Sequence, residues 1–401
     1  MSSAIQPGTT NSGGSRLAAI VLAAGYSSRM MAFKPLLRLG DGTAFERCIH
    51  SLRTAGIGEV IAVLGHRADE LRPLAKRCGA RCVINSQFDH GMYSSIVAGS
   101  RAIPEWAEAA FVLPADIPLV RSSTVRQLAA AWAACRSGIV YPVFDALRGH
   151  PPLIGKQILD EAAQEGAEGP LSALLASHEN EAVELPVADE AIHMDMDTQA
   201  DYEALAGLVT HRDIPSGAEC RAILAEFHVG ARVVRHSRKV AEVAGRIAGA
   251  LFCSGHDVNR ELVQAGALLH DLAKGQPKHA AIGAAILCKM DFDRVAEIVA
   301  VHTDLGEFVR LDEKAIVYLA DKLVCGDQLI TLKQRFAPAF TRFKKDRAAL
   351  EAARRRLQNA KRVARALEMR LGSTLESIVC EDASSRTRFH NKLRTDEVGT
   401  R

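Results

Sequence analysis

The sequence has no C-x-x-C pair, no apolar run long enough to span a bilayer and no strong excess of either charge. Each absence removes a class of function. Nine cysteines, with Cys78 and Cys82 the closest two, lack the pattern of a disulfide framework or a structural zinc site. They suit a reducing, cytoplasmic compartment in which buried thiols act as small apolar residues. Without a stretch of about 20 apolar residues there is no membrane-spanning helix. A net charge of +3 gives no ground for a nucleic-acid or membrane partner. The opening Met1 to Ser15 is polar and Gly/Ser-rich, lacks the apolar core of a signal peptide, and reads as a disordered tail.

What is present is a globular composition, 48% hydrophobic and 24% charged, in a 401-residue chain that can hold two or three domains. In the first half apolar strands alternate with helices: strands at 17–22, 59–64, 81–84, 109–113 and 138–142, helices at 43–55, 68–78, 94–102 and 121–135. That alternation predicts an open, mostly parallel α/β sheet with helices on both faces, whose ligands sit beyond the carboxyl ends of the strands.

The loops at those ends carry the chemistry. Leu22, Ala23, Ala24 and Gly25 leave the first strand, and Ser28, Arg29 and Lys34 follow before the next helix. A turn of small residues exposes backbone N–H groups that cradle phosphate oxygens, and Arg29 and Lys34 can neutralise their charge. Asn85 to Ser95 supplies short hydrogen-bonding groups and Gly91 before a helix. Asp116 ends an apolar strand, where an acid does little for stability but can hold a Mg²⁺ that bridges phosphates. Arg148, Gly149, His150 and Pro151 form a rigid turn that presents a His and an Arg. Asp195 and Asp197 lie in a strand-like run, on one face by alternation, and a helix-cap or turn role is the alternative for either.

Residues 16 to about 208 resemble the nucleotidyltransferases that include the molybdenum cofactor cytidylyl- and guanylyltransferases. The carrying motifs are Leu22-Ala-Ala-Gly25 with Ser28-Arg29-Met30 and Lys34, Asn85 with Gly91-Met92 and Ser94-Ser95, Asp116-Ile-Pro118, Gly149-His150-Pro151, and Asp195-Met-Asp197-Thr198. The resemblance implies a Rossmann-like fold and Mg²⁺-dependent attack of an acceptor phosphate on the α-phosphorus of a nucleoside triphosphate, releasing pyrophosphate. It makes Asp116 and Asp197 the Mg²⁺ ligands and places Arg29 and Lys34 on the triphosphate. Leu22, Ala23, Ala24, Gly25, Ser28, Asn85, Gly91, Ser94 and Ser95 contact the nucleotide, and His150 contacts the acceptor. In this family L-A-A-G goes with cytidine, which favours CTP, and molybdopterin cofactor is the implied acceptor. One departure stands out: the family has Gly after R-M, where this chain has Met31, a side chain that crowds the phosphates or forces another backbone angle.

Beyond a linker at 211–219 the pattern turns helical. His236, His270, Asp271, His302 and Asp321 fall in four helical stretches (233–251, 261–272, 294–302 and 313–323), and His279 in the turn before a fifth at 280–289. A half-buried His-Asp pair behind an apolar run is costly unless a cation compensates it, and a divalent metal would. Residues 220–330 resemble the HD-domain phosphohydrolases. The resemblance makes His236, His270, Asp271 and Asp321 metal ligands, and His279 and His302 the extra histidines of members that hold two metals. One or two divalent ions would then activate water toward a phosphomonoester, phosphodiester or nucleotide, with Lys274 on a phosphate or merely solvated. From 344 to 371 runs a long basic helix with Leu350, Ala353, Leu357, Ala360 and Leu367 at heptad-like spacing, which suits a packing helix or a homo-oligomer contact. From Glu381 the chain reads as frayed.

The expected organisation is therefore a tail (1–15), a nucleotidyltransferase domain (16–210), a linker (211–219), an all-α HD domain (220–330) and a helical extension (331–401). The expected protein is a bifunctional cytoplasmic enzyme. Two alternatives stand beside it: transfer to another phosphate such as a sugar phosphate, and a non-catalytic module that delivers molybdenum cofactor to a molybdoenzyme or its chaperone.

Overall fold

The computed structural model describes residues 16–27, 30, 32–164 and 170–380. The expected N-terminal tail, Ser28, Arg29 and Met31 of the opening loop, and the end from Glu381 lie outside the described residues. The chain divides into two compact units, Met1–Thr210 and His211–Arg401.

In the first unit the apolar runs become strands β1 (Leu17–Ala23), β2 (Glu59–Leu64), β3 (Arg81–Ile84), β4 (Ala109–Pro114) and β5 (Ile139–Phe144). Three shorter strands, β6 (Leu147–Arg148), β7 (Leu153–Gly155) and β8 (Ala182–Pro186), complete one sheet of order β8-β5-β7-β4-β1-β2-β3, with β6 paired to β5. β1 pairs in parallel with both β2 and β4, so Leu22 stands beside Val63 and Pro114. β7 runs antiparallel between β4 and β5. The sheet is mostly parallel, as alternation of strands and helices requires.

Successive residues of β1 feed opposite cores. Leu17, Ala19, Val21 and Ala23 pack with helices α1 (Ala44–Thr54), α2 (Ala68–Arg77) and α4 (Ser122–Cys135). Ala18, Ile20 and Leu22 pack with α3 (Met92–Arg101), α5 (Lys156–Ala162) and α6 (Leu171–Ser177). The period-2 pleat thus fills both faces, and the carboxyl ends of β1 and β4 are left side by side at one edge.

The run from Met194 to Thr198 is not a strand. It is an irregular loop between a 3₁₀ turn (Glu190–His193) and α7 (Gln199–Leu208). Met196 is buried there, and its N–H donates to the Asp116 carbonyl at 3.0 Å. That bond, rather than pleat alternation, brings this loop to Asp116. The thiols also differ from expectation: Cys48 and Cys220 are buried, whereas Cys135, Cys253, Cys288, Cys325 and Cys380 are exposed.

The second unit is helical: α8 (Gly217–Glu226), α9 (Ala231–Cys253), α10 (Arg260–Leu269), α11 (His279–Lys289), α12 (Asp293–Val301), α13 (Glu313–Lys322), α14 (Leu332–Arg342), α15 (Arg347–Leu371) and α16 (Leu375–Cys380). Four boundaries around the motifs shift from the sequence reading. α10 stops at Leu269 and α12 at Val301, so His270 and His302 are C-caps. α11 begins on His279 itself. The basic helix expected at 344–371 starts at Arg347 behind the separate α14. On α15, Ala353, Ala360 and Leu367 are buried, and the helix packs on α13 and α14, so that stripe is used within the unit.

Candidate active sites

At the edge of the sheet the loop after β1 and the loop after β4 are tied together. The Ala115 N–H donates to the Leu22 carbonyl at 3.0 Å, and the His66 N–H to the Ala24 carbonyl at 3.0 Å. Gly65, after β2, is required by this closeness: a Cβ there would lie 2.9 Å from the Ala24 Cβ and 2.7 Å from Phe88. Ser27 takes a left-handed φ of 57°, and its hydroxyl accepts the Lys34 N–H at 3.1 Å. Pro35 at the start of a 3₁₀ turn holds Lys34 in place.

Lys34 is buried, which a lysine tolerates only beside compensating charge. Its Nζ lies 2.6 Å from Asp197 Oδ1 and 3.5 Å from Asp116 Oδ2. Asp195 is close enough to both acids to be affected by them: its carboxyl is pushed up by burial first, then by Asp197 and Asp116, against a smaller opposing pull from Lys34. Two carboxylates therefore contact one ammonium, with the carboxyl of Asp195 close by. That donor set fits a divalent cation bound by oxygen ligands, with Asp116 and Asp197 the residues that would hold it.

A cavity of about 350 Å³ opens in front of this cluster, lined by Leu22, Ala24, Gly25, Lys34, Ser95 and Asp116 among others. Tyr26 and Phe88 stand at its side with ring centroids 5.3 Å apart, and the Tyr26 hydroxyl donates to Asp89. This aromatic wall went unrecognised in the sequence; its signal is one tyrosine among small residues in the first loop. Gly91, at φ 87°, makes the turn into α3 that an L side chain resists.

Asn85 and Ser94 are engaged elsewhere. The buried Asn85 amide donates to Ser94 Oγ at 2.8 Å and Ser95 Oγ at 3.0 Å, and its oxygen accepts the Gln87 N–H at 2.9 Å. The Ser94 hydroxyl is directed to the Gln87 and Gly91 carbonyls. These two residues brace the loop, while Gly91, Met92 and Ser95 line the cavity.

His150 lies in a second cavity of about 720 Å³, which shares Leu22, Met92 and Pro114 with the first. Tyr93, Tyr141 and Arg148 also line it. The Arg148 guanidinium stacks over Tyr141 at 4.4 Å and pairs with Glu184 at 2.7 Å. Among the described residues His150 Nδ1 has no hydrogen-bond partner, and burial holds the imidazole below its ordinary pKa, so it presents a neutral ring.

In the second unit, six side chains from separate stretches converge. His236 on α9, His270 after α10 and His302 after α12 each direct Nδ1 to a backbone carbonyl: Gly326 at 2.9 Å, Ala267 at 2.8 Å and Val299 at 2.7 Å. A carbonyl can only accept, so Nδ1 donates in each ring and Nε2 is the nitrogen that faces inward. Those nitrogens meet carboxylate oxygens. His236 Nε2 is 3.2 Å and His270 Nε2 3.7 Å from Asp321 Oδ1, while His279 Nε2 and His302 Nε2 are each 3.3 Å from Asp271 Oδ1. Among the described residues the buried His270 Nε2 has no hydrogen bond. Two sets of these buried and half-buried side chains satisfy the ligand spacing of a cation: His236, His270 and Asp321, and Asp271, His279 and His302. Asp271 also reaches the first set, its Oδ2 lying 3.5 Å from His270 Nε2.

The charges around these ligands are coupled. Burial opposes ionisation of Asp271 and Asp321, yet His270 and His302 hold Asp271 well below the usual carboxylate range, and Lys322 and His236 do the same for Asp321. Lys322, not singled out by the sequence, is buried and donates to Asp321 Oδ2 at 2.6 Å and the His302 carbonyl at 2.8 Å. The half-exposed Lys274 lies 2.9 Å from Asp271 Oδ2.

Residues 19–183 match the family described as MobA-like NTP transferase domain, and residues 233–324 match the HD domain family. The molybdenum cofactor cytidylyltransferase of Escherichia coli (strain K12) is 27% identical over 184 residues, covering 46% of this chain and 92% of that protein. The tRNA (cytidine(56)-2'-O)-methyltransferase of Picrophilus torridus is 36% identical over 140 residues, covering 30% of this chain; the chain spans only 40% of that protein's length. Among solved structures, Rv0371c from Mycobacterium tuberculosis H37Rv aligns at 25% identity and a TM-score of 0.44, covering 49% of this chain and 99% of that one. The chain thus carries a MobA-like NTP transferase domain at residues 19–183 and an HD domain at residues 233–324.

Proposed function

We propose that the first unit transfers a cytidylyl group from CTP to the phosphate of molybdopterin cofactor, and that the second hydrolyses a phosphate ester at a two-metal centre. The observation that supports the first part is Lys34 set between Asp116 and Asp197 at the foot of the loop cavity. An oxygen of the acceptor phosphate forms a bond to the α-phosphorus as the bond to the β-phosphate breaks, and pyrophosphate leaves with the electron pair. Backbone N–H groups from Leu22 to Gly25 hold the phosphates, and Lys34 matches the charge that builds on the departing group. Mg²⁺, when bound, neutralises the triphosphate and orients it for in-line attack. The second cavity adjoins the first along Leu22, Met92 and Pro114, which suits it to an acceptor beside the nucleotide, with His150 as its polar contact. Ala24 and the 27%-identical cytidylyltransferase support CTP over GTP. Residues 16–210, 220–330 and 331–401 then act as transferase domain, HD domain and helical extension, joined by 211–219.

For the second unit, the supporting observation is Asp271, with its two carboxylate oxygens toward two histidine sets. His236, His270, His279 and His302 offer neutral nitrogens, Asp271 and Asp321 supply the negative charge, and Lys274 is placed for a substrate phosphate. Divalent ions bound there lower the pKa of water and offset charge on the phosphoryl oxygens.

The test is pyrophosphate release from each nucleoside triphosphate, with Mg²⁺ and molybdopterin cofactor or a sugar phosphate as acceptor. The expected result is turnover with CTP and the cofactor. Tight nucleotide binding without turnover would instead favour a cofactor-delivery module.

A further inference from the structure

The helices beyond the HD match hold a feature that the metal-ligand set does not explain. α14 and α15 close one side of a cavity of about 230 Å³ whose floor includes His302 and Asp321. Four cations line it: Lys274, Lys322, Arg335 on α14 and Arg356 on α15. Three of them rest on the two carboxylates of the metal set, with Lys274 2.9 Å from Asp271 Oδ2, Lys322 2.6 Å from Asp321 Oδ2 and Arg335 3.7 Å from Asp321 Oδ1. The fourth, Arg356, makes no hydrogen bond through its buried Nε among the described residues, and its neighbouring acid is Asp304 at 3.6 Å, which Arg355 also engages at 2.6 Å.

One carboxylate cannot compensate both a divalent ion and an ammonium in full. Once Asp271 and Asp321 act as metal ligands, Lys274, Lys322 and Arg335 face the cavity with their charge largely unmatched. Clustered cations in a partly buried site are costly without an anion to receive them. A single phosphate lying on two divalent ions already has its charge met. Cations ranged to one side of it answer to further phosphate groups, and Arg is suited to bidentate contact with them.

We propose that this cavity is a polyphosphate subsite, through which α14 and α15 select for the HD centre a substrate with two or more adjacent phosphates over a phosphomonoester. The inference rests on the phosphohydrolase reading of that centre. The reaction is phosphoanhydride hydrolysis: a water oxygen bonds to one phosphorus as the bridging P–O bond breaks, the bridging oxygen leaves on the other phosphate, and the water proton passes to solvent.

The test uses the full chain saturated with Mn²⁺ and titrates it calorimetrically with imidodiphosphate, a diphosphate that resists hydrolysis, and with orthophosphate. The second unit is expected to bind imidodiphosphate at least about 10-fold more tightly than orthophosphate. The R335A/R356A double variant should lose about 10- to 100-fold in imidodiphosphate affinity and far less for orthophosphate, with R335K restoring part of the loss. Arg362, exposed on α15, provides the control R362A with unchanged affinities. Binding in the first unit is the component that persists in R335A/R356A. Equal affinity of the second unit for the two probes, or equal loss of both in the double variant, would overturn the subsite. Metal content and phosphate release from 4-nitrophenyl phosphate report separately on the hydrolase: a chain that prefers imidodiphosphate through Arg335 but releases no phosphate keeps the subsite and loses the hydrolase.

Discussion

Lys34 Nζ and Asp197 Oδ1 lie 2.6 Å apart although 163 positions separate them in the chain. Asp116, between them in sequence, is 3.5 Å from the same ammonium, and Asp195 adds a third acid to the cluster. The lysine therefore occupies the centre of a site with more negative than positive charge.

Removing one charge from this cluster should separate catalysis from stability. Asp116→Asn is expected to lower pyrophosphate release by at least about 100-fold, the scale of losing one electrostatic contact in a transition state. Its folding free energy should hold, because an excess acid is lost. Lys34→Met leaves Asp116 and Asp197 without their shared cation and should cost about 1–3 kcal/mol in chemical denaturation. Added Mg²⁺ should recover more stability in Lys34→Met than in the unmodified chain. Unchanged turnover in Asp116→Asn would remove that residue from the metal role.

The buried elements of this site were legible in the sequence, and the reasons for the rest are physical. β1, β2 and β4 are continuous apolar runs because parallel strands are covered on both faces. β7 has three residues and α14 carries Pro338 in its interior, so neither produces a clean period. Asn85 and Ser94 have the chemistry of ligand contacts, yet a loop that must turn sharply into α3 uses the same groups to brace itself. The His-Asp ligands stood out because buried titratable pairs are rare. Arg335 and Arg356 did not, since a single basic residue on an amphipathic helix looks like any solvated position until the fold places it beside a metal set.

Asp271 joins the two histidine sets, and this predicts a graded loss of metal. His302→Ala should keep about one divalent ion per chain, held by His236, His270 and Asp321. His270→Ala should keep about one on the other set. Asp271→Asn should impair both, because its oxygens lie 3.5 Å from His270 and 3.3 Å from His279 and His302. Metal content after dialysis, read by mass spectrometry, distinguishes these outcomes; equal stoichiometry in all three variants would discard the shared-ligand arrangement.

His178 gives the first unit a pH-dependent brace. Its two ring nitrogens lie 2.9 Å from Glu181 and 2.9 Å from Glu161, and these hydrogen bonds raise its pKa above the ordinary histidine value. A histidine with a raised folded pKa contributes stability that is complete below the unfolded pKa of about 6.5 and fades as pH rises through the folded one. Both acids are substantially exposed, so the effect should be at most about 1 kcal/mol. The unmodified chain should therefore lose stability relative to His178→Gln as the pH rises above about 6.5. Parallel denaturation profiles of the two proteins across that window would exclude the brace.

Gly149 sets the position of His150, and the cost of replacing it is set by backbone rather than by a movable side chain. A Cβ at Gly149 would lie 2.5 Å from Ile192 Cγ1 and 2.7 Å from the Ile192 carbonyl oxygen. That same carbonyl accepts the His150 N–H at 2.9 Å, so it cannot retreat without breaking the bond that fixes the loop. Gly149→Ala must then either push the 3₁₀ turn at Glu190–His193 away or shift His150 out of the second cavity. The turn leads directly into Met196, whose N–H holds the Asp116 carbonyl, so movement there also reaches the acids around Lys34. The expected result is a loss of about 1–3 kcal/mol in unfolding free energy, the usual range for overpacking. On the proposed reading KM for the acceptor should rise more than KM for the nucleotide, because His150 lines the second cavity and not the first. An Ala variant with unchanged stability and unchanged acceptor KM would show that the loop tolerates displacement and that His150 is not held for the acceptor.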